Sequence, residues 1–266
     1  MTAPSSPDTR LPIVGRQREM SLLWESYEAA ASGRLSVTML AGEAGIGKTR
    51  LLDELAFKAA STGAAVLRGG AFDAEGMPPY LPFLEALGQH VRDTSPDELR
   101  PQTGPLASIL ASILPELSQR LGGLPPSYPL PAEQTRWRLY DAVARLLAAI
   151  AERRPLLLLL DDVQWADPAS LDLLCYVAGH QPAARLFLVA AYRSSEAEQR
   201  PEFERAIAVL DRLRVLRTLV IDPLTDDDVA RLTANVLGAP ADPAICDLLH
   251  ARSEGCLLYT SDAADE

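Results

Sequence analysis

Gly42-Glu43-Ala44-Gly45-Ile46-Gly47-Lys48-Thr49 is an unbroken match to the pattern G-x-x-x-x-G-K-[ST], and what flanks it decides the fold. Before it, Val37-Thr38-Met39-Leu40-Ala41 is an apolar run of strand length. After it, Leu51, Leu52, Leu55 and Ala59 recur at helical spacing. Strand, glycine-rich turn and helix in that order make a phosphate cradle. Glycines let successive backbone N–H groups converge on phosphate oxygens, and the helix N-terminus adds positive potential at the same spot. In this reading Gly42, Gly45, Ile46, Gly47 and Arg50 belong to the cradle. Lys48 neutralises the β- and γ-phosphates, and the Thr49 hydroxyl holds Mg²⁺.

Working outward, apolar runs and helical periodicities alternate. Ile13-Val14-Gly15-Arg16 leads into a helix with Leu22, Leu23, Tyr27 and Ala30 on one side and Gly33 as its stop. Ala64–Arg68 reads as a second strand. Residues 73–134 carry many of the chain's 21 prolines and read as a helical, Pro-rich insertion, with short helices at Pro82–Val91 and Leu106–Leu114. Tyr140, Val143, Leu147 and Ile150 then mark a strong helix with Thr135 as its cap. Leu156–Leu160 is a continuous apolar run, as expected of a strand buried on both faces. A helix from Pro168, a strand over Leu186–Ala191, a helix over Phe203–Leu213 and a strand over Thr218–Ile221 complete the alternation. The fold expected is α/β: a P-loop NTPase with a five-stranded parallel sheet flanked by helices. The ATPase domain is expected over 13–222, after a disordered stretch at 1–12. Thr225-Asp226-Asp227-Asp228 then opens a helix with Val229, Leu232 and Val236 inward, and a second helix follows from about Pro243 to Ala251. Residues 223–255 are therefore expected to begin a helical lid.

The Leu156–Leu160 strand ends in Asp161-Asp162. Ligands of parallel sheets bind at the carboxyl ends of strands, so both acids are expected to face the phosphate loop. Asp161 is the expected Mg²⁺ partner, and Asp162 the group that orients or deprotonates the attacking water. An Asp pair after a strand is also a common turn element; the upstream cradle favours the catalytic reading. Arg193 closes the next strand and is expected at the rim of the same crevice, sensing the γ-phosphate. Asp167 is expected to cap the helix that begins at Pro168, and Trp165 to pack beneath the loop. His90, His180 and His250 are scattered and receive no chemical role.

Composition narrows the class. The chain has 266 residues, 48% of them hydrophobic, enough for one large α/β domain and the start of another. A net charge of −11 argues against a direct grip on nucleic acid, which needs a basic face. Cys175, Cys246 and Cys256 have neither metal-ligand spacing nor the density of a disulfide framework, the first ten residues lack an apolar core, and the longest apolar run is far too short to span a bilayer. The expectation is a cytoplasmic protein with no membrane partner. Cys256 to Glu266 resembles the translation of a transposon-end sequencing adapter, so native sequence is expected to be readable only to Gly255 and to have continued beyond it.

Taken together, the chain resembles the AAA-like signal-transduction ATPases with numerous domains, the STAND class. Within it, the chain is similar to the ATPase modules of LuxR-type and maltose-regulator-like bacterial transcription regulators and of related multidomain cyclases. The likeness covers about residues 12–255. It rests on Ile13-Val14-Gly15-Arg16-Gln17-Arg18-Glu19, on Gly42–Thr49, on Leu156–Asp167 with its Asp-Asp-Val-Gln-Trp-Ala-Asp string, on the strand ending in Arg193, and on Ser253-Glu254-Gly255. Family members continue that last string with Asn-Pro and aromatics; here Cys256 begins instead. The resemblance implies ATP or ADP with Mg²⁺ as cofactors and places Val14, Gly15 and Arg16 beside the base. It implies a slow regulatory switch, a homo-oligomer in the ATP state, and DNA contacted only through domains beyond this segment. Two alternatives stand beside it: a motor-type AAA+ ATPase of the replication-initiator or remodeller kind, and a module regulating a fused cyclase or kinase.

Overall fold

The computed structural model describes residues 13–237 and 239, apart from 75, 125–130, 182 and 198. Strands β1 (Ser36–Ala41), β2 (Ala65–Gly70), β3 (Leu156–Asp161), β4 (Leu186–Tyr192) and β5 (Leu216–Val220) form a sheet in the order β2-β3-β4-β1-β5. Every pairing is parallel. Register sets Gly70 opposite Asp161, and Ala41 opposite both Tyr192 and Val220, so the carboxyl ends of the strands share one edge. The β1 strand that feeds the phosphate loop lies inside the sheet, next to β4 and one strand away from β3.

Helices α1 (Gln17–Ala31), α2 (Lys48–Ser61), α3 (Leu81–Asp93), α4 (Pro96–Thr103), α5 (Ala107–Leu110) and α6 (Pro115–Leu121) precede β3, as does the long α7 (Ala132–Arg153). After it come α8 (Pro168–His180), α9 (Ser194–Ala197), α10 (Pro201–Arg212) and α11 (Asp226–Leu237). The side-chain period of a strand, two residues, divides the core. Leu156, Leu158 and Leu160 of β3 join Phe83, Leu87, Leu99, Tyr140, Leu147 and Leu174 on one face of the sheet. Leu157 and Leu159 join Leu23, Tyr27, Leu51 and Leu55 on the other, beneath α1 and α2. None of the five leucines is more than 2% exposed, each burial worth about 1.5–3 kcal/mol. Helices α3 to α6 thus share the core of the sheet. Their prolines suit their starts: Pro82, Pro96 and Pro115 sit in first turns, where a missing N–H costs nothing.

Several local expectations are corrected. The region 94–121 holds three short α-helices and a 3₁₀ turn, and the short helix expected over Leu106–Leu114 is only the four-residue α5. Helix α7 begins at Ala132, so Thr135 lies inside it; its hydroxyl donates to the carbonyl of Pro131 instead of capping the helix. Val236 is 39% exposed; the buried side of α11 carries Asp228, Val229 and Thr233, with Leu232 partly buried beside them. The expected helix at 243–251 and the Ser253–Gly255 string lie outside the described residues, as do Cys256–Glu266.

Candidate functional site

The loop between β1 and α2 is shaped by its glycines. Gly45 and Gly47 have φ of 73° and 101°, a left-handed geometry that side chains resist, and Gly47 is the residue from which α2 springs. Lys48 is buried, and its ammonium donates to the carbonyls of Gly42 (2.9 Å) and Glu43 (2.8 Å), closing the loop over itself. Burial lowers the lysine's pKa, opposed chiefly by the charges of Asp162 and Asp161. Ile46 packs into the core, and Arg50 pairs with Glu54 one turn along α2 at 3.4 Å.

The two motifs meet. Thr49 Oγ1 donates to Asp161 Oδ2 at 2.8 Å. Burial pushes the Asp161 carboxyl up and the charge of Asp162 adds to this; the bonds from Thr49 and from the Asp162 N–H pull the other way. Asp162 itself adopts φ 51°, a conformation Asp tolerates better than most residues, and starts the 3₁₀ turn Val163–Trp165. Its Oδ1 accepts from Gln164 Nε2 at 3.0 Å and lies 3.3 Å from Arg193 Nε. Arg193 also pairs with Glu196 at 3.0 Å. Gln164, only 1% exposed, completes the ring: its amide nitrogen reaches Glu196 (3.2 Å) and its oxygen accepts from the backbone N–H of Arg193 (3.1 Å). Asp162 and Arg193 are thus held against each other at the ends of β3 and β4. Gln164 stood in the Asp-Asp-Val-Gln string without an assigned role; its only signal in the sequence was an amide two places beyond the acid pair.

Of the flanking residues, Asp167 has its expected role as a cap. Asp167 caps α8, accepting from the N–H groups of Ala169 (3.0 Å) and Ser170 (3.1 Å), and it also accepts from Tyr80 N–H across the fold. Trp165 is half-buried under the guanidinium of Arg200. Glu43, left without a role, accepts from Ser195 Oγ at 2.8 Å.

The amino-terminal segment reaches the loop from below. Val14 is buried. Arg16 is 4% exposed and donates to the carbonyl of Ile46 at 3.0 Å, while its Nε has no partner among the described residues. Burial lowers the Arg16 pKa, and Glu19, Asp228 and Asp222 oppose that. Gly15, at φ 69°, lies so close to α11 that a Cβ would come within 2.6 Å of Asp228 and 2.8 Å of Leu224. Asp228 is the far member of the expected capping box: its N–H donates to Thr225 Oγ1 and its carboxylate accepts from the Thr225 hydroxyl. The first helix after the sheet is therefore tied to the Val14–Arg16 segment, and that segment to the phosphate loop.

A family model described as an AAA ATPase domain matches residues 12–189. The chain belongs to that family. A Dictyostelium discoideum protein named as a hybrid signal transduction histidine kinase is 30% identical over 173 residues, covering 61% of this chain and 5% of that protein. A STAND protein with a tetratricopeptide repeat sensor from Pyrococcus horikoshii superposes with a TM-score of 0.47 at 15% identity, over 95% of this chain and 30% of that one. A Thermotoga maritima RuvB variant reaches a TM-score of 0.51 at 13% identity, over 95% of this chain and 61% of that one, a likeness of fold. The chain spans 19% or less of the length of the curated relatives it matches.

The donor set of this AAA ATPase domain fits a magnesium nucleotide: a lysine ammonium inside a glycine loop, a hydroxyl and a carboxylate in contact for a hard cation, and an orphaned buried arginine N–H beside the loop. Among the described residues no helix is long and apolar enough to cross a membrane.

Proposed function

We propose that the chain is the ATP-binding and slowly hydrolysing switch module of a multidomain signal-transduction protein of the STAND class, with transcriptional control as the output. The observation that carries the reading is the Thr49–Asp161 contact, which joins the phosphate loop to the acid pair. Gly42–Arg50 would cradle the phosphates, with Lys48 on their outer oxygens, and Thr49 and Asp161 would hold Mg²⁺. When bound, the ion draws charge from the phosphates. Asp162 is the group that takes the proton of the attacking water, and Arg193 the one that senses the terminal phosphate.

The switch reading is supported by the ties that run from the loop through Arg16 and Gly15 to Asp228 of α11. A nucleotide that changes the loop biases that helix, and differential affinity for two positions of the helix supplies the energy of the switch. In this proposal 223–255 opens a lid, 13–222 is the ATPase domain with 73–134 inserted in it, the protein is cytoplasmic, and the ATP state assembles with further copies. DNA is reached through other domains, a reading that the net charge of −11 supports.

A second reading has its own support. The relative named as a signal transduction histidine kinase favours a module that governs a fused kinase. The motor-type alternative is less favoured, since Asp162 stands where motors commonly carry Glu and is bound up with Arg193 and Gln164. Steady-state turnover separates switch from motor. The proposal expects hydrolysis of a few cycles per minute or slower, unchanged by duplex DNA; fast turnover stimulated by DNA contradicts it.

A further inference from the structure

A cavity of about 210 Å³ opens beside the Thr49–Asp161 pair, lined also by Leu52, Arg68, Gly70 and Glu85. The chain has been shaped to place Glu85 there. Gly69 tolerates no side chain: a Cβ would come within 1.8 Å of the Pro82 carbonyl. Its absence lets the first turn of α3 lie directly on the end of β2. One turn later, Glu85 Oε2 accepts from the N–H of Gly70 at 2.9 Å, and Gly70 stands in register with Asp161. Arg68, the cation of this cavity, is engaged elsewhere: it pairs with Asp53 and reaches the Leu52 carbonyl. Glu85 thus lines the same cavity as Thr49 and Asp161, and among the described residues no cation pairs with it.

Mg²⁺ surrenders its waters reluctantly and is held by one or two carboxylates plus phosphates, so a site for it needs acceptors placed one water away. At about 30 Å³ per water, the cavity holds several such waters. Asp161 and Glu85 are the two carboxylates that line it.

We propose that Glu85 is a positioning residue of the nucleotide site, accepting hydrogen bonds from the water shell of the magnesium ion held by Thr49 and Asp161. The inference rests on the nucleotide reading of the site. Loss of an outer-shell partner of a metal site typically weakens the metal by about 10–100-fold. Glu85→Gln retains an oxygen for the Gly70 N–H and removes only the charge.

The test is a MgCl₂ titration of fluorescent ADP binding to the full chain, with parallel binding in EDTA and thermal melts. For Glu85→Gln the expected result is a Mg²⁺ midpoint raised about tenfold, with metal-free affinity and melting temperature unchanged. A midpoint equal to that of the parent chain overturns the proposal. If the Gln variant melts early, Glu85→Asp carries the test: its shorter carboxylate must also raise the midpoint without changing metal-free affinity, and an unchanged midpoint refutes the role. Asp161→Asn separates the two readings. If it raises the midpoint and the Glu85 variants do not, Glu85 alone is dismissed; if the parent chain binds no ADP under any condition, the nucleotide reading itself falls.

Discussion

Thr49 and Asp161, 112 positions apart, share a 2.8 Å hydrogen bond at the carboxyl edge of the sheet. The strand order produces it. With β4 between β1 and β3, the loop leaving β1 arches over to the end of β3, and the first turn of α2 presents its hydroxyl to the acid. The contact joins a hard-cation ligand pair before any ion is considered. If the two act on one ion, Thr49→Ala and Asp161→Asn must not add. A double-mutant cycle on Mg²⁺-dependent ADP affinity should give a coupling of about 0.5–3 kcal/mol. Additive losses would mean the two residues serve different ligands.

Gln164 is expected to act through Asp162 and Arg193, which its buried amide holds together. Gln164→Leu fills the space and removes its three bonds, to Asp162, Glu196 and the Arg193 N–H. Turnover should fall by about 10–100-fold while ADP affinity stays close to that of the parent chain. Asp162→Asn should behave in the same way, binding nucleotide but hydrolysing it slowly. Normal turnover in the asparagine variant would remove Asp162 from the proton-accepting role.

Gly15 should not accept a side chain. Its φ of 69° is costly for alanine, and the added carbon would strike Asp228 and Leu224. Gly15→Ala is expected to destabilise the chain by about 1–3 kcal/mol, read as a lower melting temperature, and to loosen α11 in hydrogen exchange. Protection of α11 amides equal to the parent's would show that the helix does not depend on this contact.

Acid should act on the fold through His90. Its ring is 6% exposed, bonded to Gln102 and Thr94, and burial lowers its pKa below the ordinary 6.5. Above that value both folded and unfolded chains carry a neutral ring, and pH has no effect through this group. Below it the unfolded chain takes up a proton that the folded chain refuses, so stability falls as pH drops from 6.5 towards the folded pKa and then levels. Melting curves from pH 7.5 to 5 should show a steeper decline for the parent than for His90→Gln. Parallel curves would exclude the histidine.

The sequence disclosed some parts of this site and hid others, for physical reasons. Gly42–Thr49 and Asp161-Asp162 were legible because each is a short run whose chemistry is fixed by residue type. Leu156–Leu160 was legible because a doubly buried strand must be apolar throughout. Strand order was not: only packing decides that β4 lies between β1 and β3. Thr135 misled because a hydroxyl near a helix start reads as a cap, whereas Ala132-Glu133-Gln134 are good helix formers and carry the helix one turn further back. Glu85 lies in the helix expected over Pro82–Val91, but its relation to Asp161 depends on a glycine, Gly69, that looks ordinary in the sequence.

In the proposed site Lys48, Thr49 and Asp161 converge on a single magnesium-bound nucleotide. Calorimetric titration of the parent chain and of Lys48→Ala with ATP in the presence of Mg²⁺ tests it most directly. One site per chain is expected for the parent and no measurable binding for the variant. Equal affinities in the two proteins would contradict it.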